Sequence, residues 1–356
     1  MRIFKAILIA LSVFSIIGTL LPLLPMDTWW VQIFVFPRIQ ISIIIILLIV
    51  LWLFFFWFPK GLNMIMVILL SASFFYQVFR IFPYTIFSGI QTDLAQGQDT
   101  TTNLSAIVSN VYMKNQEYQT LLKLIEQKNP DMVLLLETDE WWADKMDTLK
   151  NDYPHIVSKP LDNTYGMILY SQLSLEDTEV RYMMEDSIPS IHAYAKLRSG
   201  HLVRLYCLHP KPPVPPESES STKRDAELLL AGELVKKNKE PAILMGDLND
   251  VAWSYTTRLF LKSSQMLDPR IGRGFYNTFN AELPMMRWSL DHVFHTEAFQ
   301  LNALEVLPYI GSDHFPVYFS LSYQPTETEE QEPLEPTSAK EQDTVDKKIK
   351  KGMEKQ

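Results

Sequence analysis

Three long apolar runs open the chain, and they constrain its architecture more than anything that follows. Ala6–Leu24 and Ile41–Phe58 contain no charged residue, and each is near the length of about 17–20 residues that a helix needs to cross a hydrocarbon core. The third run, Leu62–Tyr76 with its flanks, holds Asn63 and leads into Gln77 and Arg80, so its signal is the weakest. Core helices of soluble proteins carry a polar face, and Ile41–Phe58 has none. A cleavable signal peptide would account for the first run alone, but no small-residue cleavage site follows it before Pro25. Trp29, Trp30, Trp52, Trp57 and Tyr84 include several rings at run ends, where amphipathic aromatics favour the membrane interface. We therefore expect a membrane domain of three transmembrane helices over residues 1–84. No charge lies in the middle of a span, which argues against a transport pathway.

Basic residues set the expected orientation. Arg2, Lys5 and Lys60 fall on one side and Arg38 and Arg80 on the other. Three against two favours a cytoplasmic N-terminus, and three crossings then put the remaining domain outside, on the periplasmic or extracellular face.

Charge changes sign beyond the apolar region. Residues 1–90 net +4, residues 91–323 net −10 and residues 324–356 net −3. An acidic domain is a poor match for the phosphate backbone of nucleic acid, although a bound cation can reverse the local field. The single cysteine, Cys207, sits in the apolar run Leu205–Leu208, so it can form neither an intrachain disulfide nor a cysteine metal cluster, and it is expected in the core. Residues 85–103 are polar and read as a linker. Residues 324–356 are rich in Glu, Pro, Thr and Lys and lack aromatics, so they are expected to be disordered, with the Lys347–Lys351 run solvated.

Between them, residues 104–323 carry ten short strand-like runs, among them Leu104–Val111, Met132–Leu136, Glu179–Met183, Ala242–Met245 and Val317–Leu321. Helical periodicity marks Tyr118–Gln127, Thr222–Lys237 and Ser254–Ser263. Many short strands with few helices point to an α/β fold, a four-layer sandwich of two packed mixed β-sheets flanked by helices, rather than a doubly wound sheet. The domain has no glycine-rich phosphate loop, no GxSxG elbow and no HExxH motif, which removes several other hydrolase classes.

Polar residues recur where the strand-like runs end. In order they are Asn110, Glu137, His209, Asp247, Asn249, Asp291, Asp313 and His314. Glu137 closes an apolar run, where a hard cation such as Mg²⁺ takes carboxylate oxygen and keeps several waters. Asp247 and Asn249 are two apart, so one loop can present both to the same side, the acid to accept a proton from water and the amide to donate to a phosphoryl oxygen. Each of these taken alone is an ordinary strand-end acid, Asx turn or surface histidine. Their order is what carries information.

The strand end Ser109-Asn110-Val111, Leu136-Glu137, the Gly246-Asp247-Leu248-Asn249 loop and Gly311-Ser312-Asp313-His314 together resemble the endonuclease/exonuclease/phosphatase superfamily, which includes deoxyribonuclease I, exonuclease III-type repair enzymes, neutral sphingomyelinases and inositol polyphosphate 5-phosphatases. The resemblance spans about Leu104–Leu321. With the apolar runs and the His209–Pro213 loop, the chain looks closest to the superfamily's membrane-bound bacterial branch. The resemblance implies hydrolysis of a phosphoester with Mg²⁺ or Mn²⁺, with a nucleic acid or a phospholipid headgroup as substrate and the lipid bilayer as partner. It implies Asn110, Glu137 and Asp313 in the metal shell, Asp247 as base, Asn249 as a phosphoryl contact, His209 as leaving-group acid, and Asp291 orienting and charging His314. One departure stands out: deoxyribonuclease I-like members pair the leaving-group histidine with a glutamate from a preceding strand, and Tyr165–Tyr170 has none. The rival reading is a membrane-tethered binding domain of the same fold without activity; its site would be expected to have lost at least one of these side chains.

Overall fold

The computed structural model describes residues 2–56, 60–96, 99–324 and 331–354; Trp57 and Phe58, at the end of the second apolar run, lie outside the described residues. All three runs form long helices, α1 (Arg2–Leu20), α3 (Arg38–Phe55) and α4 (Leu62–Ile81), each long and apolar enough to cross a membrane. They pack on one another through Leu8, Ile45, Leu48, Trp52, Met66 and Leu70. Several polar groups inside the bundle are paired within it, as burial away from water favours. Trp52 Nε1 donates to Ser12 Oγ at 3.0 Å, and Gln77 links Arg38 to Thr19 at 2.7 and 3.0 Å. The outward faces are apolar and exposed, as at Phe54, Ile65 and Phe75, the reverse of a helix that faces water. A short helix, α2 (Trp29–Gln32), lies in the connection between α1 and α3.

Residues 103–323 form the expected sandwich. One sheet has the order β10-β11-β1-β2-β4-β3 and the other β5-β6-β7-β8-β9. The first comprises β1 (Asn103–Asn110), β2 (Met132–Leu136), β3 (His155–Lys159), β4 (Met167–Ser171), β10 (Phe299–Val306) and β11 (Val317–Tyr323). In the second are β5 (Leu175–Arg181), β6 (Ser190–Lys196), β7 (Leu202–Cys207), β8 (Ala242–Asp247) and β9 (Asp291–His295). Their inner faces interdigitate through residues such as Ala106, Leu134, Leu169, Leu205, Met245 and Phe319, with Cys207 buried among them. Helices α5 (Tyr118–Lys128) and α6 (Glu140–Lys145) cover the first sheet's outer face, where Leu121, Ile125 and Trp142 are buried. The second sheet is covered by α7 (Thr222–Asn238) and α8 (Tyr255–Ser264).

Each sheet has one parallel pair near its centre, β1 with β2 and β7 with β8, and their remaining pairings are antiparallel. The C-terminal ends of these four strands deliver Asn110, Glu137, His209 and Asp247 to one end of the sandwich. β9 starts at that same end, with Asp291 opposite Asp247 in the ladder.

Two elements escape a reading by pattern. β3 is a partly exposed edge strand whose His, Ser and Lys blur any alternation. α6 is only six residues long; Asp139 caps it by accepting from the Trp142 amide at 2.9 Å.

Two segments depart from expectation. The linker is docked: Leu94 pairs with Leu301 at the edge of β10, and Thr92 Oγ1 meets His295 Nε2 at 3.0 Å. The tail, expected to be disordered, holds α9 (Ala339–Met353), which starts in a capping box between Ser338 and Glu341. Val345 is fully buried against α7 and α8, Ile349 packs beside it, and a Cβ on Gly352 would lie 2.3 Å from Ala226 Cβ, so glycine lets the two helices approach. Composition averaged over the tail hides this narrow stripe. Nor is the lysine run all solvated, because Lys348 pairs with Asp27 at 2.9 Å and Asp225 at 2.8 Å.

Candidate active site

All eight residues singled out from the sequence meet at the end of the sandwich where β1, β2, β7 and β8 terminate. Asn110 is the hinge between the sheets. Its side-chain amide donates to Glu137 Oε1 at 2.9 Å and to Asp247 Oδ2 at 3.0 Å, while its Oδ1 accepts from the Tyr112 amide. Glu137 follows β2 at φ +61°, a left-handed turn that swings its carboxylate towards the second sheet.

The Gly246–Asn249 loop is shaped by its glycine. Gly246 has φ +144°, and a Cβ there would fall 1.9 Å from the Leu208 carbonyl oxygen, so only glycine lets β8 pass this close to the exit of β7. Beyond it the Asn249 amide N–H donates to Asp247 Oδ1 at 3.0 Å, an Asx turn that fixes the acid. One N–H of the Asn249 side chain donates to Pro210 O at 3.0 Å; the residue still lines the cleft.

His314 lies between two acids, its Nδ1 2.8 Å from Asp291 Oδ2 and its Nε2 3.5 Å from Asp247 Oδ2. Burial opposes its charge, but Asp291 and Asp247 outweigh that and raise the imidazole to about 10. Burial also pushes the Glu137 carboxyl up to about 7, with Asp247 and Asp313 adding to the rise against the Asn110 hydrogen bond. Burial raises Asp313 as well. The half-buried Glu137 and the buried Asp247, with Asp313 beside them, form a hard-oxygen donor set whose mutual repulsion a divalent cation would relieve. Asp247, Asp291 and His314 also lie close enough to share an ion. A protonated His314 has no lone pair to offer, however, and its Nδ1 is committed to Asp291. Chemistry therefore favours the carboxylates over that trio.

His209 is different. Its Nε2 stands 3.7 Å from Asp247 Oδ2, its ring packs on Tyr165 at 5.4 Å, and its buried Nδ1 has no hydrogen-bond partner. The Tyr165–Tyr170 segment, where the resemblance calls for a glutamate, presents Tyr165, whose hydroxyl bonds to Glu217. Burial lowers the His209 pKa, with His314 adding to the fall and Asp247 opposing it.

Supporting residues were harder to read from sequence. Ser312 Oγ donates to Asn110 O at 2.8 Å and accepts from the His314 amide at 3.0 Å, joining two site strands; its place inside the Ser-Asp-His motif was the signal available. Arg224, near the start of α7, is buried, donates to Asn249 O at 2.7 Å and pairs with Asp225 and Asp250. Asp250, the acid next to Asn249, thus faces away from the cleft. His292, one residue from Asp291, likewise points elsewhere, to Arg270 and Asp250 O.

The cleft between these residues has a volume of about 330 Å³. One wall is Phe36, from the connection between α1 and α3, beside Pro213, Val214 and Phe279.

Residues 107–314 match the Endonuclease/Exonuclease/phosphatase family model, and the chain belongs to that family, whose members are hydrolases of phosphoester bonds. No curated protein sequence matches the chain. Among solved structures, an endonuclease/exonuclease/phosphatase family protein from Bacteroides thetaiotaomicron aligns with a TM-score of 0.51 at 16% identity, covering 63% of this chain and 96% of that one. The endonuclease/exonuclease/phosphatase from Beutenbergia cavernae aligns at 0.50 and 16% identity, covering 63% and 72%. A humanised D. rerio TDP2 carrying 14 mutations aligns at 0.50 and 14% identity, covering 62% and 99%. At these identities the likeness establishes the fold.

Proposed function

We propose that the chain is a membrane-anchored, divalent-metal-dependent phosphoesterase that hydrolyses its substrate by in-line attack of water, the substrate being a nucleic acid or a phospholipid headgroup. The observation that carries this reading is the single cluster Glu137–Asn110–Asp247–His314–Asp291, joined by hydrogen bonds except for the 3.5 Å ion pair between Asp247 and His314. Glu137 and Asp313 would hold Mg²⁺ or Mn²⁺, with Asn110 fixing Glu137, and the ion supplies Lewis-acid stabilisation of the phosphoryl oxygens. Asp247, immobilised by Asn110 and the Asn249 amide, accepts the proton of the attacking water. His314, kept charged by Asp291, donates to a phosphoryl oxygen as negative charge grows there. The second N–H of Asn249 adds to the same oxygens. His209, whose charge burial disfavours and whose Nδ1 has no hydrogen-bond partner, serves as a hydrogen-bond partner to the ester at the leaving-group side. The three long apolar helices support anchoring in a bilayer, which we take to be a bacterial inner membrane; the count of basic residues, three against two, is the argument for a catalytic domain on its periplasmic or extracellular face.

The test is hydrolysis of phosphoesters by the full-length protein with Mg²⁺ or Mn²⁺. Turnover should vanish with EDTA and in each of Asp247→Ala, Glu137→Ala and His314→Ala, while circular dichroism shows the fold retained. Undiminished turnover by Asp247→Ala would sink the mechanism.

A further inference from the structure

The wall of the cleft belongs to the apolar helices as much as to the sandwich. Phe36 stacks edge-on against Trp288 with centroids 5.7 Å apart, Trp288 stacks on Phe279 at 6.1 Å, and Phe279 sits 4.9 Å from the His314 ring. An unbroken file of aromatic rings thus runs from the start of α3 to the candidate catalytic histidine. The docking is tight and passes through the segment just after Asn249. Trp253 Nε1 donates to Val35 O at 2.8 Å, Arg80 to Trp253 O at 2.9 Å, and Tyr84 Oη to Ala252 O at 2.7 Å. The cleft therefore stands at the level where α3 begins and α4 ends.

The surface at that level is apolar. Gln40, in the first turn of α3, donates to Met285 O at 3.0 Å, and the loop carrying Met285 leaves that side chain 80% exposed and Leu283 54% exposed. Just past α4, Ile86 and Phe87 are exposed, as are Trp30 in α2 and Ile33 just after it. Solvated apolar side chains gathered at the ends of apolar helices are explained by a bilayer interface. Residues 91–323 net −10, which disfavours a polyanion approaching from water.

We infer that the substrate is a phospholipid taken from the bilayer, its phosphodiester entering the cleft along the ring file from Phe36 to His314. This deepens the phosphoesterase reading above and rests on it. In the reaction a water oxygen bonds to phosphorus and one P–O ester bond breaks, leaving a phosphomonoester on one fragment and a hydroxyl on the other. Asp247 takes one proton of the water and later returns it to solvent, and the leaving oxygen takes a proton from bulk water.

The experiment uses the full-length protein reconstituted with Mg²⁺ or Mn²⁺ in vesicles of phosphatidylcholine, phosphatidylethanolamine, phosphatidylglycerol and sphingomyelin. Bis(p-nitrophenyl) phosphate and DNA and RNA oligonucleotides are offered in parallel. We expect hydrolysis of the aryl ester and of at least one vesicle lipid, and little or none of the oligonucleotides. In Leu283→Asp/Met285→Asp the ratio of lipid to aryl-ester turnover should fall at least tenfold. Hydrolysis of the aryl ester or oligonucleotides with every lipid untouched would overturn the lipid inference and leave the phosphoesterase standing. A lipid-to-aryl-ester ratio unmoved by the two aspartates would equally overturn entry from the bilayer. Silence on all substrates, aryl ester included, would remove both readings.

Discussion

Replacing Lys348 with Met tests whether the C-terminal helix is an integral part of the domain. Lys348 sits with 18% of its side chain exposed, 2.8 Å from Asp225 and 2.9 Å from Asp27, whose side chains are 2% and 14% exposed. It therefore ties α9 both to α7 and to the connection between α1 and α3. Methionine keeps most of the stem, so the variant isolates the charge. Removing one partner of a buried pair costs about 3–5 kcal/mol when the other is left uncompensated. Here Asp225 keeps Arg224 at 2.8 Å and Ser221 at 3.1 Å, and Asp27 keeps Lys351 at 2.6 Å, so we expect a smaller loss of about 2–3 kcal/mol. For a domain of this size that is a fall in Tm of about 5–10 °C, read by tryptophan fluorescence on the full-length protein in detergent. The control is Lys347→Met, whose partner Asp343 is exposed like Lys347 itself; that variant should stay within about 0.5 kcal/mol of wild type. In the double variant Lys348→Met/Asp225→Asn the loss should be less than the sum of the singles, since the stranded charge is gone. Equal melting of Lys348→Met and Lys347→Met would refute the argument. Acid behaviour adds a check. Burial opposes the Asp225 charge, yet Lys348 and Arg224 hold its carboxyl well below the usual range. Its contribution is present above that range and is lost as pH falls through the depressed value, so Lys348→Met should also narrow tolerance to acid.

Glu227 is buried on α7, with Oε1 unpartnered and Glu185 nearby, and burial pushes its carboxyl up to about 8. A raised acid gives its stability fully below the unfolded pKa and loses it as pH rises through the folded one. Glu227→Gln should then gain about 1–3 kcal/mol at pH 9 and nothing at pH 5, seen as a pH-dependent difference in Tm; a gain of equal size at both pH values would contradict it. Gly246→Ala forces a Cβ into the Leu208 carbonyl at φ +144° and should cost about 3 kcal/mol or more with turnover largely lost. A variant within about 1 kcal/mol of wild type would show that the β7 exit yields more easily than its packing implies.

Much of the site was legible because catalytic side chains on strand ends leave a local trace. Asn110 and Asp247 close apolar strands, Glu137 follows one directly, and Asp291 opens another, so polarity changes abruptly at each. Supporting residues leave no such trace. Arg224 looks like any charged residue of a helix until α7 is laid against the Gly246–Asn249 loop and its guanidinium is enclosed. Tyr165 packing on His209 was likewise hidden, since nothing local announces which ring will pack against a histidine beyond a strand end.

Three helices too apolar for water, a two-sheet sandwich and the chemistry of its strand ends were readable along the chain, because each follows from side-chain polarity at short range. Packing alone makes Phe36 a wall of the cleft, joins residues 93–95 to a sheet edge and lets α9 clasp α7 through Lys348. These depend on partners scores to hundreds of residues away in the chain, and an apolar stripe or a buried charge acquires its meaning only from the surface packed against it.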